Sequence, residues 1–310
     1  YLDLIQQTFY FPQDGFEVKN NYLYFHGIPL KQLIEEYETP MRITYLPKIS
    51  ENIQRAKKYF NDAIRKLNYP GNYNYCYCTK SSHFAHVLVE ALKNDIYLET
   101  SSAFDIDIIE RLYLNKMLNK DTLIVCNGFK TKIYTQRISK LANLDFNIMP
   151  VLDNMEELEA YENTIIYDCD LGIRIASEEQ PEFQLYTSRL GIRYKEIKDF
   201  YLNKIKPNPK FKLKMLHFFI NSGIKDNIYY WNELSKLLKV YVELKRVCPE
   251  LDSLNIGGGW PFRSSLGFEY DYAYMAEEIL NKIKQTCEEE NVSCPNIFTE
   301  FGSFTVAESG

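Results

Sequence analysis

The sequence predicts an α/β fold, specifically a (β/α)8 TIM-like barrel. Short apolar runs alternate with amphipathic segments from residue 74 onward, and this alternation is typical of a parallel sheet covered by helices. Eight such units fit into about 230 residues, the usual size of a (β/α)8 barrel. A doubly wound open sheet built from the same units is the structural alternative.

Each element is predicted from its apolar pattern. Residues 16–28 alternate around turn residues as in a β-hairpin, residues 30–38 form a short helix, residues 41–46 form a strand, and residues 50–67 form a helix capped by Ser50. The barrel strands are predicted at residues 74–79, 96–100, 122–127, 146–153, 171–176, 212–220, 251–256 and 297–301. The helices between them are predicted near residues 81–94, 103–115, 131–142, 155–161, 194–204, 228–246 and 272–290.

Composition limits the possible functions. The chain carries 42 acidic and 36 basic residues, a net charge of −6, so it lacks the basic excess that nucleic-acid binding needs. No apolar run approaches the roughly 18 residues of a membrane span. The seven cysteines are scattered and odd in number, which indicates a reducing, cytoplasmic location rather than a secreted disulfide framework. No signal peptide is visible, although the chain begins at Tyr1 and not at Met.

A barrel places its active-site groups at the C-terminal ends of the strands. A lysine directed into this low-dielectric region has a lowered pKa, which makes Lys80 a candidate nucleophilic amine. Arg174 lies in an apolar strand and needs an acidic partner inside the barrel, for which Glu300 is a candidate. The groups at the strand ends are Lys80, Glu99, Cys126-Asn127-Gly128, Asp153, Arg174, residues 219–223, Gly257-Gly258-Gly259 and Glu300.

Three of these groups together describe a site for pyridoxal phosphate (PLP). Lys80 can bind the cofactor covalently, and the glycine triplet, together with the loop at residues 220–223, can bind a phosphate through backbone N–H groups. Glu300 can keep the pyridine nitrogen protonated. Taken singly, each group has an ordinary alternative, namely a surface lysine, a flexible turn and an ion pair at the barrel rim.

A zinc site is the competing interpretation of residues 75–86. Cys76, Cys78, His83 and His86 are suitable tetrahedral zinc ligands. The two cysteines, however, lie on a predicted barrel strand and the two histidines on the following helix. Inward cysteines more often serve as small buried apolar residues, so we predict no metal site.

The order of the strand-end motifs resembles a known family. The chain is similar to the barrel-type PLP-dependent decarboxylases of basic amino acids, which have an alanine-racemase-like fold, from about residue 40 to its end. The CNGFK stretch is most similar to the biosynthetic arginine decarboxylases. The matching motifs are YCTKSS (77–82), LETSSAFDI (98–106), VCNGFKTKIY (125–134), LGIRIA (171–176), SRLGI (188–192), LHFFINSG (216–223), LNIGGGWP (254–261) and TEFG (299–302).

The resemblance implies roles for individual positions. Lys80 and Glu300 match the catalytic lysine and the carboxylate that binds the pyridine nitrogen. The other cofactor-binding positions that it implies are Glu99, Asp105, Arg174, His217, Phe219, Ser222, Gly257, Gly258 and Gly259. Two positions depart from the family pattern: Phe219 replaces a histidine that stacks on the cofactor ring, and Ser303 replaces an arginine that binds phosphate.

The resemblance also implies a domain organisation. Residues 1–39 form an N-terminal β and helical segment that belongs with a C-terminal β-domain, residues 40–310 form the PLP-binding barrel, and the C-terminal β-domain is missing from this chain. The resemblance also implies a homodimer with shared active sites and a small-molecule substrate, a basic amino acid. The sequence therefore predicts decarboxylation of arginine to agmatine in polyamine biosynthesis. The alternatives are decarboxylation of diaminopimelate, ornithine or lysine, and a non-catalytic regulatory homologue that keeps the barrel.

Overall fold

The computed structural model describes residues 15–176, 190–220, 223–262 and 268–309. Eight parallel strands in this part of the chain close into a barrel, in the order β10-β11-β4-β5-β6-β7-β8-β9. The strands are β4 (Tyr73–Cys78), β5 (Tyr97–Thr100), β6 (Ile124–Cys126), β7 (Ile148–Leu152), β8 (Cys169–Arg174), β9 (Phe211–His217), β10 (Ser253–Asn255) and β11 (Asn296–Phe301). The predicted (β/α)8 barrel is confirmed, and the open doubly wound sheet is wrong, because β11 pairs with β4 and closes the circle.

Helices follow the barrel strands and cover the outside of the barrel. Their apolar faces pack on the outward side chains of the strands and form the main hydrophobic core. The helices are α3 (Ala85–Leu92), α4 (Ala103–Leu114), α5 (Lys132–Asn143), α6 (Glu157–Thr164), α7 (Tyr194–Phe200), α8 (Ile228–Lys245), α9 (Tyr272–Glu289) and α10 (Ser303–Val306). None of the helices within the described ranges is both long and apolar enough to cross a membrane.

A small antiparallel sheet precedes the barrel. It consists of β1 (Phe16–Lys19), β2 (Tyr22–Phe25) and β3 (Ile28–Pro29), followed by helix α1 (Leu30–Tyr37). Asn20 and Asn21 both have positive φ angles, which is the backbone geometry that a two-residue hairpin turn requires. The hairpin and the short helix predicted from the sequence are both present.

The predicted strand at residues 41–46 is wrong. Residues 41–45 belong to no strand, and helix α2 (Leu46–Leu67) begins at the end of this segment. Pro47 occupies the first turn of α2, where its missing N–H costs nothing. Ser50 is therefore inside the helix rather than at its N-cap, and its hydroxyl donates to Glu90 at 2.6 Å.

The interior of the barrel is filled by a separate apolar layer. Its members come from different strands and pack on one another around the barrel axis. They are Cys76, Leu123, Val125, Met149, Val151, Met215 and Phe298, with Tyr97 against them. Barrel interiors are packed cores rather than pores, so this apolar layer closes the barrel below the C-terminal ends of the strands.

Candidate active site

A layer of polar side chains lies directly above the apolar layer. Successive side chains of a strand alternate between its two sides, so the residue two positions beyond an inward residue also points inward. Asn127 thus follows Val125, and Asp153 follows Val151. This polar layer consists of Cys78, Glu99, Asn127, Asp153, Arg174, His217, Asn255 and Glu300, one from each strand end.

Glu300 is the most heavily hydrogen-bonded member of the polar layer. Its Oε1 atom accepts from the side-chain amides of Asn127 at 2.6 Å and of Asn255 at 2.5 Å. Its Oε2 atom lies 3.4 Å from Nε2 of His217. Burial alone raises the pKa of Glu300, but His217, the Lys80 ammonium and the Asn127 hydrogen bond outweigh it and hold this pKa below the usual range. Glu300 is therefore a carboxylate.

Lys80 and Glu99 form an ion pair at the mouth of the barrel. Nζ of Lys80 lies 3.3 Å from Oε2 of Glu99, with the lysine side chain 55% exposed and the glutamate side chain fully buried. Burial alone lowers the pKa of Lys80, as expected from the sequence. Glu99, the Cys78 thiol and Glu300 outweigh burial, so the pKa lies above the ordinary lysine value. The predicted lowered pKa is therefore wrong for the ligand-free site.

Arg174 has a different partner from the one suggested by its sequence. Nη1 of Arg174 lies 3.9 Å from Oδ1 of Asp153, whose side chain is almost fully buried. The guanidinium also lies over the ring of Phe219, 5.7 Å from its centre. The suggested pairing of Arg174 with Glu300 is wrong, because Glu300 is held by the two asparagines and His217. Asp153 lies beyond the end of β7, the strand next to β8.

The glycine triplet lies against two neighbouring backbone segments. A Cβ atom on Gly258 would lie 2.3 Å from the carbonyl oxygen of Glu300, and one on Gly223 would lie 2.4 Å from that of Gly259. Gly257 and Gly259 have positive φ angles. The N–H groups of Gly258 and Gly259 donate to none of the described residues. Within the described part of the chain, two backbone donors at this corner of the mouth are thus without an acceptor.

Several buried polar atoms of the layer make no hydrogen bond within the described chain. They are Oε1 of Glu99, Oδ1 of Asn127, both carboxylate oxygens of Asp153 and both ring nitrogens of His217. Buried polar groups in folded proteins are almost always hydrogen-bonded, to protein, water or ligand. These atoms could form hydrogen bonds with a polar ligand bound at the barrel mouth.

Some of the residues implied by the resemblance lie elsewhere or are engaged locally. Asp105 caps helix α4: its Oδ2 atom accepts from the Ser101 N–H at 3.0 Å and from the Ser102 hydroxyl at 2.9 Å. Ser222 lies outside the described residues. Conversely, Asn127 and Asn255 were not assigned a role from the sequence, although the alternation of inward residues along β6 and β10 points to both.

The four residues of the zinc interpretation do not form one site. His83 and His86 are exposed, whereas Cys76 and Cys78 are buried in the barrel. Among the described residues, Cys78, Glu99 and Glu300 place three possible ligand atoms within 4.8 Å of one another. This group shares only Cys78 with the zinc interpretation, and the Lys80 ammonium already lies against it.

Curated biosynthetic arginine decarboxylases are similar to the chain. The chain is 26% identical to the biosynthetic arginine decarboxylase of Citrifermentans bemidjiense over 315 residues, and 28% identical to that of Pelobacter propionicus over 317 residues. Each alignment covers 91% of this chain and 48% of the relative. The chain thus spans about half the length of the curated relatives that it matches.

Solved structures share the fold. The biosynthetic arginine decarboxylase of Campylobacter jejuni superposes with a TM-score of 0.76 at 21% identity, over 95% of this chain and 51% of that one. A diaminopimelate decarboxylase from M. jannaschii superposes with a TM-score of 0.80 at 19% identity, over 96% and 68%.

The family match covers most of the barrel. Residues 47–307 match the family described as "Pyridoxal-dependent decarboxylase, pyridoxal binding domain". The match runs from the first turn of α2 to the end of α10, and it includes all eight barrel strands. It also includes every residue of the polar layer. The chain therefore belongs to the pyridoxal-dependent decarboxylases and carries their pyridoxal-binding domain.

Proposed function

We propose that this chain is the cofactor-binding barrel of a PLP-dependent decarboxylase that converts L-arginine to agmatine in polyamine biosynthesis. The observation that carries the proposal is the placement of Lys80 and the ionised Glu300 at one barrel mouth, both close to the buried Glu99. The names of the curated relatives favour arginine over diaminopimelate, ornithine and lysine.

The residues present fit PLP, the cofactor of the family. Lys80 offers an amine at the mouth, and Glu300 offers a buried carboxylate for the pyridine nitrogen. Gly258 and Gly259 offer the phosphate two N–H groups that donate to none of the described residues. When bound, PLP supplies an electron sink that stabilises negative charge on the α-carbon of an amino acid. Glu300 serves this chemistry by holding a proton on the ring nitrogen, because its own pKa is too low to retain one.

Glu99 provides a place for the proton that Lys80 must release. An amine is nucleophilic only when deprotonated, and the pKa of Lys80 is raised in the ligand-free site. The pKa of Glu99 is also raised, by burial first and then by the charge of Glu300. Oε2 of Glu99 lies 3.3 Å from Nζ of Lys80, so we infer that Glu99 accepts the lysine proton.

Two departures from the family pattern, Phe219 and Ser303, affect the expected binding of the cofactor. The phenyl ring of Phe219 can stack on a flat cofactor but cannot carry a proton. Ser303 is exposed at the start of α10 and offers a hydroxyl in place of a guanidinium. Weaker phosphate binding than in relatives with arginine at this position is therefore expected. These two residues also motivate the alternative of a non-catalytic homologue.

We also propose that the complete protein is a homodimer with shared active sites. Exposed aromatic side chains follow three neighbouring barrel strands on the mouth face: Phe84 is 58% exposed, Phe104 76% and Phe129 64%. Exposed apolar patches on one face commonly mark an association surface. We further propose that a domain boundary lies between residues 39 and 40 and that the protein is cytoplasmic.

The proposed function is tested with the full-length protein supplied with PLP. Release of CO2 is measured from arginine, ornithine, lysine and diaminopimelate, and cofactor binding is followed by visible absorbance. We expect arginine to be the best substrate, and we expect Lys80→Ala to abolish both signals because it removes the amine that would bind the cofactor. Lys239→Ala removes an exposed lysine of helix α8 and serves as the matched control.

Each outcome bears on a different part of the proposal. Absence of PLP binding by the wild-type protein would contradict the cofactor site. PLP binding without CO2 release from any of the four amino acids would support the non-catalytic homologue instead. Preference for another of the four would contradict arginine alone.

A further inference from the structure

Lys130 is a buried lysine that the proposed mechanism does not use. Its side chain is fully buried, which is rare for a lysine unless the charge is paired. Nζ donates to the carbonyl oxygen of Gly128 at 2.8 Å and to that of Val151, and it lies 3.4 Å from Oε2 of Glu157. All three donors of the ammonium therefore have partners, in the loop after β6, in strand β7 and at the start of α6.

Glu157 completes the pair from the first turn of α6. Its Oε2 atom accepts from the N–H of Asp153 at 3.0 Å, and its Oε1 atom accepts from the N–H of Lys130 at 3.3 Å and from the Asn154 amide at 3.2 Å. Burial raises the pKa of Glu157, and Lys130 opposes this rise. The pair thus binds backbone groups on both sides of the gap between β6 and β7.

The two loops that the pair joins carry two members of the polar layer. Asn127 lies three residues before Lys130 and donates to Glu300 at 2.6 Å. The N–H of Asp153 donates to Glu157, and the carboxylate of Asp153 faces Arg174. We propose that Lys130 and Glu157 are positioning residues that hold Asn127 on Glu300, and thereby hold Glu300 in its cofactor-binding geometry.

If Lys130 and Glu157 served stability alone, apolar residues would be expected at these two positions. Replacing a buried ion pair with apolar residues of similar size is often neutral or stabilising, so stability alone gives no reason to keep one here. The pair binds the carbonyl of Gly128 and the N–H groups of Lys130 and Asp153, which all lie outside the strands. Apolar replacements would remove the hydrogen bonds that join the loop after β6, which carries Asn127, to the loop after β7.

The test uses the full-length protein and the variant Lys130→Met/Glu157→Gln, which removes both charges at nearly constant volume. We expect its PLP dissociation constant to rise about tenfold, the effect of losing one hydrogen bond to a charged group. Asn127→Ala should give a similar rise, and adding it to the pair variant should give no further one. The matched control is Lys140→Met/Glu110→Gln, which removes an exposed ion pair of the same residue types between α5 and α4.

The outcomes separate positioning from stability. A double-mutant cycle in which the two effects multiply to about a hundredfold would show that the pair does not act through Asn127. A lowered melting temperature with unchanged PLP affinity would equally overturn the proposal. If the double variant does not fold, Glu157→Gln alone carries the same test, because it keeps the volume and puts an NH2 group, which cannot accept, in place of one of the two oxygens that accept from the N–H groups of Asp153 and Lys130.

A second readout keeps this inference separate from the proposed function on which its affinity test rests. The side-chain amide signal of Asn127, identified by its loss in Asn127→Ala, is followed by nuclear magnetic resonance in the ligand-free protein. We expect this signal to shift in the pair variant and to stay in place in the control. An unchanged signal would contradict the positioning role even if the wild-type protein bound no PLP.

Discussion

Glu99 and Glu300 are both buried at the same barrel mouth, yet their pKa values move in opposite directions. Glu300 receives two amide hydrogen bonds and faces His217, so its ionised form is favoured. Glu99 has one buried oxygen without a hydrogen bond and faces the charge of Glu300, so its ionised form is disfavoured. Two carboxyl groups whose pKa values are shifted in opposite directions can take different roles, one as a fixed charge and one as a proton acceptor.

Glu300→Gln tests the fixed charge. Glutamine keeps the size of the side chain but cannot hold a proton on the pyridine nitrogen. We expect kcat to fall by about a hundredfold or more, the usual cost of removing one electrostatic contact to the reacting group. Steady-state CO2 release measures this effect. The control is Glu289→Gln, at an exposed position on α9, and an equal kcat in the two variants would refute the role of Glu300.

Glu99→Gln tests the raised pKa through the pH dependence of stability. The folded state holds the Glu99 proton more tightly than the unfolded state does, so this stabilisation is present below the unfolded pKa and is lost as pH rises through the folded pKa. We therefore expect the variant to gain stability over the wild type as pH increases from about 4.5. The gain is at most about 1.4 kcal/mol per pH unit. Denaturant unfolding of both ligand-free proteins measures it, and a constant difference would contradict the raised pKa.

Individual residues differ in how well the sequence predicts them. Lys80 and Glu300 could be named because each ends an apolar strand and carries a group with distinctive chemistry. Asn127 is among the strand-end groups and Asn255 lies inside a predicted strand, but an amide side chain has no chemistry distinctive enough to assign either a role from sequence. The predicted direction of the Lys80 pKa shift was wrong, because this pKa depends on charges on two other strands. The distances to those charges cannot be inferred from the sequence around Lys80.

At the scale of elements, the glycine loop and strand β11 are packed backbone against backbone. A Cβ atom on Gly258 would approach the carbonyl oxygen of Glu300 to 2.3 Å, and this carbonyl belongs to a strand that cannot move without opening the barrel. The glycine loop is thus packed directly against the backbone of Glu300, so a shift of the loop would displace that backbone.

Gly258→Ala tests this packing. We expect a loss of about 1–3 kcal/mol in the free energy of unfolding, since overpacking forces the backbone apart, together with weaker PLP binding. The comparison variant is Gly27→Ala, which has a positive φ but open space around it, so it should cost only about 1 kcal/mol. Equal losses in both variants, with PLP binding retained in Gly258→Ala, would contradict the role of the close packing.

The elements themselves were largely predictable, and the exceptions have physical causes. The barrel strands were found because residues buried on both sides form continuous apolar runs. Residues 41–46 also look like a strand, but no neighbouring strand pairs with them in the described chain. Pro47 is compatible with the first turn of a helix, so α2 begins at Leu46. Strand prediction fails where an apolar run has no partner.

At the scale of the whole molecule, the exposed aromatic residues around the mouth predict association. We expect the full-length protein to form dimers and Phe104→Ser/Phe129→Ser to weaken them, because both side chains are more than half exposed in the single chain. Sedimentation equilibrium measures the dimer dissociation constant, with a rise of at least tenfold expected for the loss of two buried phenyl rings. Leu114→Ser, at the opposite end of α4 and 75% exposed, should leave it unchanged. A monomeric wild-type protein would refute the homodimer.

The apolar layer inside the barrel closes the polar layer from below, through Val125, Met215 and their neighbours. At the mouth, the side chain of Lys80 is 55% exposed to solvent, whereas Glu99 and Glu300 beneath it are buried. A molecule that covers the mouth therefore removes water from Lys80 and from the charges beneath it. Charges separated by a few ångströms interact more strongly as water leaves, so occupancy of the mouth and the strength of the charge interactions beneath it rise and fall together.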